Sequence, residues 1–216
     1  MRKLFLVFAL VSVMFTYPMY ANADTLQIGG TFTYPIYSIV DGKEALLGGG
    51  SVDATYLNGT KLNYMYCVDL LRVVYVPGTY GETAVNNSGN IYGSSLNNAG
   101  KVAWLLSHYG TAGQGDAAYA LQAAIWHEVL LGTLDPSHSY DLDIVHSSAN
   151  QVALYNSYLT ALGDNTGNVG DFLWITPGKD SVQYQGQVAS VPEPMSILLL
   201  GFGLIGLAGV GRKFKK

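Results

Sequence analysis

The chain has 216 residues, of which 11 are basic and 15 acidic, for a formal net charge of −4. Six of the basic residues lie at the two ends, so the stretch from 24 to 190 keeps 5 basic and 14 acidic residues and a net charge of −9. This balance argues against a nucleic-acid partner and against binding to anionic lipids. The stretch is long enough for one domain with its own core.

The N-terminus has the layout of a secretory signal peptide. The first three residues, MRK, are a short basic start, the run from 4 to 15 is apolar, and ANA at 21–23 is a small-x-small cleavage site. The apolar run is short for a bilayer span, which needs about 20 residues. We therefore predict a signal peptide over 1–23 and a mature chain that begins near Asp24, with a retained anchor as the alternative.

The first half of the domain is predicted to consist of strands and turns. The predicted elements are strands over 26–34, 51–57, 61–70 and 72–76, a loop over 36–50, and a polar segment without period over 81–95. Asn58-Gly59 is a strong signal for a hairpin turn between two of these strands.

The second half begins with three predicted helices, over 97–109, 116–131 and 143–162. Asp116 is the expected cap of the second helix, and Gly132 follows its end. Strands return over 171–176 and 181–188, and residues 186–191 are the expected linker to the C-terminal segment. This order predicts a mainly β fold, a β-sandwich or barrel, with an insertion of about three helices.

The C-terminus carries three features in succession: VPEP at 191–194, an uncharged segment over 195–211, and the basic cluster RKFKK. The uncharged segment is at the short end for a transmembrane helix. The basic cluster should stay on the cytoplasmic side, which leaves the domain over 24–185 outside the cell. We expect residues 192–216 to act as an anchor, at least in transit.

These three features, in this order, resemble the PEP-CTERM sorting signal. The resemblance implies that an exosortase, a membrane-embedded cysteine protease, recognises Pro192, Glu193 and Pro194 and cleaves nearby. It also implies export by the secretion translocase and a final place on the cell surface or in the extracellular matrix of a Gram-negative bacterium that makes exopolysaccharide. Such segments also go under an ice-binding C-terminal label, but nothing in the sequence supports ice binding. An ordinary tail anchor is the alternative.

Cys67 is the single cysteine of the chain, so it cannot form an internal disulfide. In an exported protein it is buried and inert, paired to another chain, or chemically used. Gln122 lies on the apolar face of the second predicted helix, where an amide without partners costs about 1–3 kcal/mol. Its side chain either bonds a backbone group in the core or is itself covalently used.

Two short motifs resemble the thioester domains of bacterial surface adhesins. YCVD at 66–69 lies in a predicted strand and LQAAIW at 121–126 in a predicted helix. In that family the cysteine of a Tyr/Phe-Cys-x-Asp-like strand is joined to the glutamine of a Thr-Gln-x-Ala-Ile/Val-Trp motif. Gln122, Ala124, Ile125 and Trp126 match this motif, whereas Leu121 replaces the threonine.

The resemblance implies an internal thioester between Cys67 and Gln122, which an amine or hydroxyl of a target surface would open. Attachment would be single-use, without enzymatic turnover and without a cofactor. Tyr66 and Trp126 would shield the bond from water. His127 is a candidate for assisting proton transfer, although it lies on a different helix face from Gln122.

Three other interpretations stay open. The chain is alternatively a non-reactive structural protein of the exopolysaccharide matrix, with Cys67 merely buried. A cysteine hydrolase would pair Cys67 with His108 or His127 and with Asp69. The four histidines show no metal-ligand spacing, and we expect no metal, but the acidic cluster Asp135, Asp141 and Asp143 is either a solvated loop or a calcium site without EF-hand spacing.

Overall fold

The structure of the chain, a computed structural model, describes residues 23–30, 35–51, 54–131 and 138–191. The predicted signal peptide up to residue 22, Asp135, Gly132, the Pro-Glu-Pro residues and the predicted membrane helix over 195–211 lie outside these ranges. Within the described ranges, no helix combines the length and the apolarity needed to cross a membrane.

Most of the described elements are short strands. In chain order they are β1 (Asp24–Ile28), β2 (Pro35–Val40), β3 (Lys43–Gly48), β4 (Thr55–Leu57), β5 (Thr60–Lys61), β6 (Met65–Cys67), β7 (Gly78–Asn86), β8 (Asn90–Ile91), β9 (Ser94–Ser95), β10 (Tyr140–Leu142), β11 (Phe172–Thr176), β12 (Gly178–Lys179), β13 (Val182–Gln183) and β14 (Gln187–Ser190). The mainly β fold predicted from the sequence is confirmed.

Seven strands form one antiparallel sheet in the order β5-β4-β1-β7-β11-β14-β6, which curls into a half-barrel. Alternate residues of β1, Leu26 and Ile28, are buried in one apolar cluster together with Met65, Tyr80 and Ile175. Because β6 comes last in this order, one of its edges has no neighbouring strand among the described residues. The site described below lies at that edge.

Residues 36–50 form a hairpin, so the loop predicted there is wrong. Strands β2 and β3 pair over their whole length, and β10 pairs with β2 on the other side. Asp41 and Gly42 make the turn with φ of 51° and 72°, the left-handed conformation that a two-residue hairpin requires. The run of three glycines at 48–50 ends the hairpin instead of filling a loop.

The Asn58-Gly59 turn is confirmed: it joins β4 to β5, with Leu57 opposite Thr60. The strand predicted over 61–70 is interrupted, and only β6 of its second part belongs to the main sheet. The strand predicted over 72–76 is wrong, since these residues form no strand and Val73 and Tyr75 are largely exposed.

The segment 81–95 was expected to lack regular structure, yet it contains the second part of β7 and the small β8–β9 hairpin. Its inward position at Thr83 is polar, and the hydroxyl is satisfied by the Tyr80 carbonyl at 2.8 Å. A buried threonine leaves little hydrophobic alternation for a sequence pattern to detect.

Three helices are present within the described residues, as predicted: α1 (Ala99–Tyr109), α2 (Asp116–Leu130) and α3 (Ala149–Leu162). α3 starts later than expected because Ser148 caps it, in a reciprocal pair of hydrogen bonds with Gln151. Asp116 does not cap α2. It is the first helical residue, and its carboxylate accepts a hydrogen bond from Asn150 of α3.

α2 is the central element of the main core. Its residues are buried almost all round, between α1, α3, β2, β6 and β10. Two tryptophans, Trp126 of α2 and Trp174 of β11, are the largest fully buried side chains of the described residues. A helix enclosed in this way can hold a side chain in a fixed position against a sheet edge.

The domain extends beyond the predicted boundary at 185. Residues 187–190, which lie in the expected linker, form β14, and this strand runs between β11 and β6 inside the main sheet. Apolar Val188 and Ala189 are fully buried, so this segment is part of the core rather than a connection.

Candidate functional site

Cys67 is the last residue of β6, at the sheet edge that pairs with no strand in the described part of the chain. The side chain is 2 % exposed and forms no disulfide. A strand edge inside a protein leaves a backbone N–H and a carbonyl that need partners. The identity of these partners decides what surrounds the cysteine.

The partner of this edge is the side chain of Gln122, which α2 brings alongside it. The Cys67 N–H donates to Gln122 Oε1 at 2.9 Å, and Gln122 Nε2 donates to the Cys67 carbonyl at 2.7 Å. The two residues are 55 positions apart in the sequence. One side-chain amide thus takes the place of a paired strand residue, and its carbonyl carbon is held beside the cysteine.

Gln122 is fully buried on an apolar helix, and these two bonds remove most of the cost of placing it there. Without them, each amide group would lose about 1–3 kcal/mol of solvation. The arrangement also suits a glutamine that only completes the sheet edge, so the hydrogen bonds by themselves fit both interpretations of the sequence.

A glycine makes room for Gln122. A Cβ atom at Gly49 would lie 2.6 Å from Ile36 Cδ1, 2.8 Å from Gln122 Cγ and 2.9 Å from Trp126 Cη2. Such distances are shorter than real carbon contacts, so only glycine fits at position 49 unless these side chains move. No local sequence pattern identifies Gly49 as part of the site, because it lies 73 positions away from Gln122.

Gly49→Ala is therefore expected to lower the free energy of unfolding by about 1–3 kcal/mol, as overpacking usually does. It should also displace the Gln122 amide from Cys67. Gly81→Ala is the matched control, since a Cβ at this strand glycine meets no atom within 4 Å. Denaturant unfolding checks the pair, and equal stability of both variants would contradict the packing described here.

Two aromatic side chains are buried in the same core as Cys67 and Gln122. Trp126 is buried one helical turn after Gln122, and its Nε1 has no hydrogen-bond partner among the described residues. Tyr66 is also fully buried, and its hydroxyl donates to the Thr111 carbonyl at 2.9 Å. Both side chains are buried, and their role in shielding a thioester stays a prediction.

Burial raises the pKa of the Cys67 thiol to about 12, and the nearby Asp69 carboxylate acts in the same direction. A hydrogen bond from the Gln187 side chain opposes this rise. The thiol is therefore protonated at neutral pH, and its proton must be passed on in any reaction at the sulfur.

The residues after Cys67 are held by a network around Tyr92. The Tyr92 hydroxyl donates to Asp69 Oδ2 at 2.5 Å and accepts from the Gly186 N–H at 2.7 Å. The Arg72 guanidinium lies 3.8 Å above the Tyr92 ring, and the Gln185 side chain donates to the Asp69 carbonyl. Asp69 thus fixes the chain beside the cysteine, a role that its place in the YCVD motif did not reveal.

Residues near Cys67 and Gln122 line two surface cavities. The larger, of about 630 Å³, includes Val68 and Asp69 in its wall, together with Leu96 and Val129. The smaller, of about 290 Å³, includes Trp126. Each is a candidate route by which a ligand approaches the sheet edge.

The histidines have other contacts. His127 faces α3, where its Nδ1 lies 3.0 Å from the Tyr155 hydroxyl. His108 stacks on Trp104 with ring centroids 4.0 Å apart. A cysteine hydrolase needs an imidazole beside its thiol, and these contacts direct both rings elsewhere. The geometry therefore gives no support to the hydrolase interpretation.

The predicted acidic cluster is divided between two sets of contacts. Asp141 accepts a hydrogen bond from Tyr155, whereas Asp143 Oδ2 lies 2.7 Å from His146 Nδ1. Among the described residues, Glu44, Asp143 and His146 each offer a ligand atom within 4.8 Å of the others. The Asp143–His146 ion pair accounts for the proximity of two of these three residues.

The Asp143–His146 ion pair is expected to make the stability of the fold depend on pH. The hydrogen bond and charge of Asp143 raise the pKa of His146 above its ordinary value, and the His146 ring lowers the pKa of Asp143. The pair therefore stabilises the fold at pH values between the pKa of Asp143 and that of His146. This stabilisation is lost when the pH rises through the pKa of His146 or falls through the pKa of Asp143. In NMR titrations Asp143→Asn should lower the pKa of His146, and an unchanged value would contradict the pairing.

Comparison with known proteins adds one finding at the C-terminus. No curated protein and no solved structure matches the chain significantly. A family model described as the PEP-CTERM protein-sorting motif matches residues 190–213. This range contains Pro192, Glu193 and Pro194, and overlaps the folded domain only at its last strand residue. The chain thus carries a PEP-CTERM sorting motif and is an exported substrate of an exosortase.

Proposed function

We propose that Cys67 and Gln122 form an internal thioester, by which this exported protein attaches itself covalently to a target surface. The observation that carries the proposal is the pair of hydrogen bonds between the Gln122 amide and the Cys67 backbone. They place the only cysteine of the chain beside a buried glutamine in the two motifs that resemble thioester domains.

Formation of the thioester is a single acyl transfer. The Cys67 sulfur adds to the Gln122 side-chain carbonyl, the bond from this carbon to Nε2 breaks, and ammonia leaves with the thiol proton. The Cys67 N–H already donates to Gln122 Oε1, the oxygen on which negative charge develops. A preorganised donor at this position stabilises the tetrahedral intermediate more than it stabilises the starting amide.

The apolar surroundings then protect the product. Water would hydrolyse an exposed thioester, whereas Cys67 and Gln122 are both almost completely buried. The bond would open only when a nucleophile reaches the sheet edge, through one of the two cavities described above.

An amine or a hydroxyl of a protein or polysaccharide is the expected target. It would form an amide or ester with the Gln122 carbonyl and return the Cys67 thiol, which makes the attachment single-use. The stretch from 24 to 190 has only four lysines, and Lys101 among them is paired with Glu128 at 3.2 Å. Few available amines would limit reaction between copies of the protein.

A structural role in the exopolysaccharide or biofilm matrix is the second candidate. It is favoured by the same two hydrogen bonds if they merely complete the edge of β6. In that case Cys67 is a small buried side chain, and the exosortase sorting signal alone determines where the protein works.

Labelling with methylamine distinguishes the two candidates. The thioester protein should take up one methylamine at Gln122, located by peptide mass spectrometry, and release one Cys67 thiol for each amine bound. A protein with unlabelled Gln122 and a free Cys67 before treatment would exclude the covalent role and leave the structural one.

A further inference from the structure

A second glutamine faces the same cysteine from the neighbouring strand. Gln187 of β14 is paired with Cys67 of β6 in the antiparallel register. Directly opposed residues place their side chains on the same face of a sheet, within contact distance. Gln187 is fully buried, and its side chain lowers the pKa of the Cys67 thiol against the larger effect of burial.

Only one end of this amide is engaged by the backbone. Gln187 Nε2 donates to the Gln185 carbonyl at 3.0 Å, which fixes the orientation of the amide, since a carbonyl oxygen could not donate there. Gln187 Oε1 is buried and has no hydrogen-bond partner among the described residues. A buried acceptor without a donor is costly, so a native structure that retains one calls for an explanation.

Resting on the thioester proposed above, we propose that Gln187 is a catalytic residue for acyl transfer at the Cys67 sulfur. Its N–H would stabilise the thiolate that departs when the thioester is opened. Its free Oε1 would accept a hydrogen of the incoming nucleophile, which is therefore an amine or hydroxyl rather than a group without a hydrogen to donate.

The step balances without a further reactant. The nucleophile forms a bond to the Gln122 carbonyl carbon, the carbon–sulfur bond breaks, and the proton released by the nucleophile passes to the Cys67 sulfur. Gln187 ends unchanged, with Oε1 again free.

Gln187 is a poorer acyl donor than Gln122. The carbonyl oxygen of Gln122 accepts the Cys67 N–H, whereas that of Gln187 has no donor to polarise it. The geometry thus assigns different tasks to the two amides: Gln122 transfers its acyl group to the sulfur, and Gln187 assists at the sulfur through hydrogen bonds.

The test compares the full-length chain with Gln187→Met, which keeps the length and apolar volume but removes both polar atoms. We expect its melting temperature to stay near that of the wild type, because removing an unpaired buried oxygen offsets the loss of the hydrogen bond to the Gln185 carbonyl. Opening by methylamine should nevertheless be about 10- to 100-fold slower, the effect of losing a hydrogen bond to a charged group. If Gln187 had only a structural role, its replacement would not slow the opening by methylamine while leaving the melting temperature unchanged.

Ser190→Ala is the matched control, since it removes another buried oxygen without a partner from the same strand, and it should react at the wild-type rate. Gln187→Asn, which shortens the side chain and stays polar, gives a second test should the methionine variant fail to fold. A folded variant that reacts like the wild type would overturn the inference alone. Methylamine mapped to Gln187 would overturn both the inference and the proposed bond between Cys67 and Gln122. A wild type that takes up no methylamine would overturn the proposed thioester and the inference with it.

Discussion

Cys67→Ala and Gln122→Met are each expected to abolish methylamine uptake completely. The carbon–sulfur bond needs both residues, so neither variant can form it, however well it folds. The hydrogen bonds to Gln122 come from the backbone of Cys67, and Cys67→Ala therefore keeps both of them. Gln122→Met loses both and should cost about 1–3 kcal/mol of stability for the backbone groups left without partners.

The measurement is isotope-labelled methylamine incorporation, with His127→Ala as the control. His127 contacts Tyr155 rather than the cysteine, so this variant should still be labelled. Labelling that persists in Cys67→Ala would show that the reactive acyl group does not involve the sulfur, which is incompatible with a thioester.

Opening the thioester is expected to lower the stability of the wild type by about 4 kcal/mol, the chain-entropy value for a cross-link that closes a loop of 55 residues. The bond between positions 67 and 122 restricts the unfolded chain, and methylamine removes this restriction. The folded state changes little, because the amide that methylamine forms at Gln122 can still hydrogen-bond to the Cys67 backbone.

Calorimetry before and after methylamine treatment checks this value. Cys67→Ala is the control, and it should unfold at the lower temperature whether treated or not. Identical melting of treated and untreated wild type would mean that no cross-link exists, and would favour the structural role in the matrix.

The sequence predicts the elements whose signals are local. The helix α2 and the Asn58-Gly59 turn are examples, since helical periodicity and turn chemistry lie within a few residues. The β2–β3 hairpin is not predicted, because its Asp41-Gly42 turn is followed by a run of glycines that is typical of a loop. β7 escapes because one of its inward side chains is Thr83 rather than an apolar residue.

The residues of the site also fall into those that local motifs predict and those that they do not. Cys67 and Gln122 were paired through two motifs of a resembling family, and the fold brings these residues together. Gly49 and Gln187 were not predicted, because each meets the pair through tertiary packing between distant segments. No spacing rule within a single sequence reports such contacts. The same holds for Tyr92, which reaches Asp69 from 23 positions away.

The intact mass of the purified wild-type protein, measured under conditions that preserve thioesters, tests the covalent role most directly. A protein with the thioester should have a mass lower than that of the processed sequence by one ammonia molecule, and no free thiol when it is unfolded in acid. A full sequence mass together with one alkylatable Cys67 would contradict it.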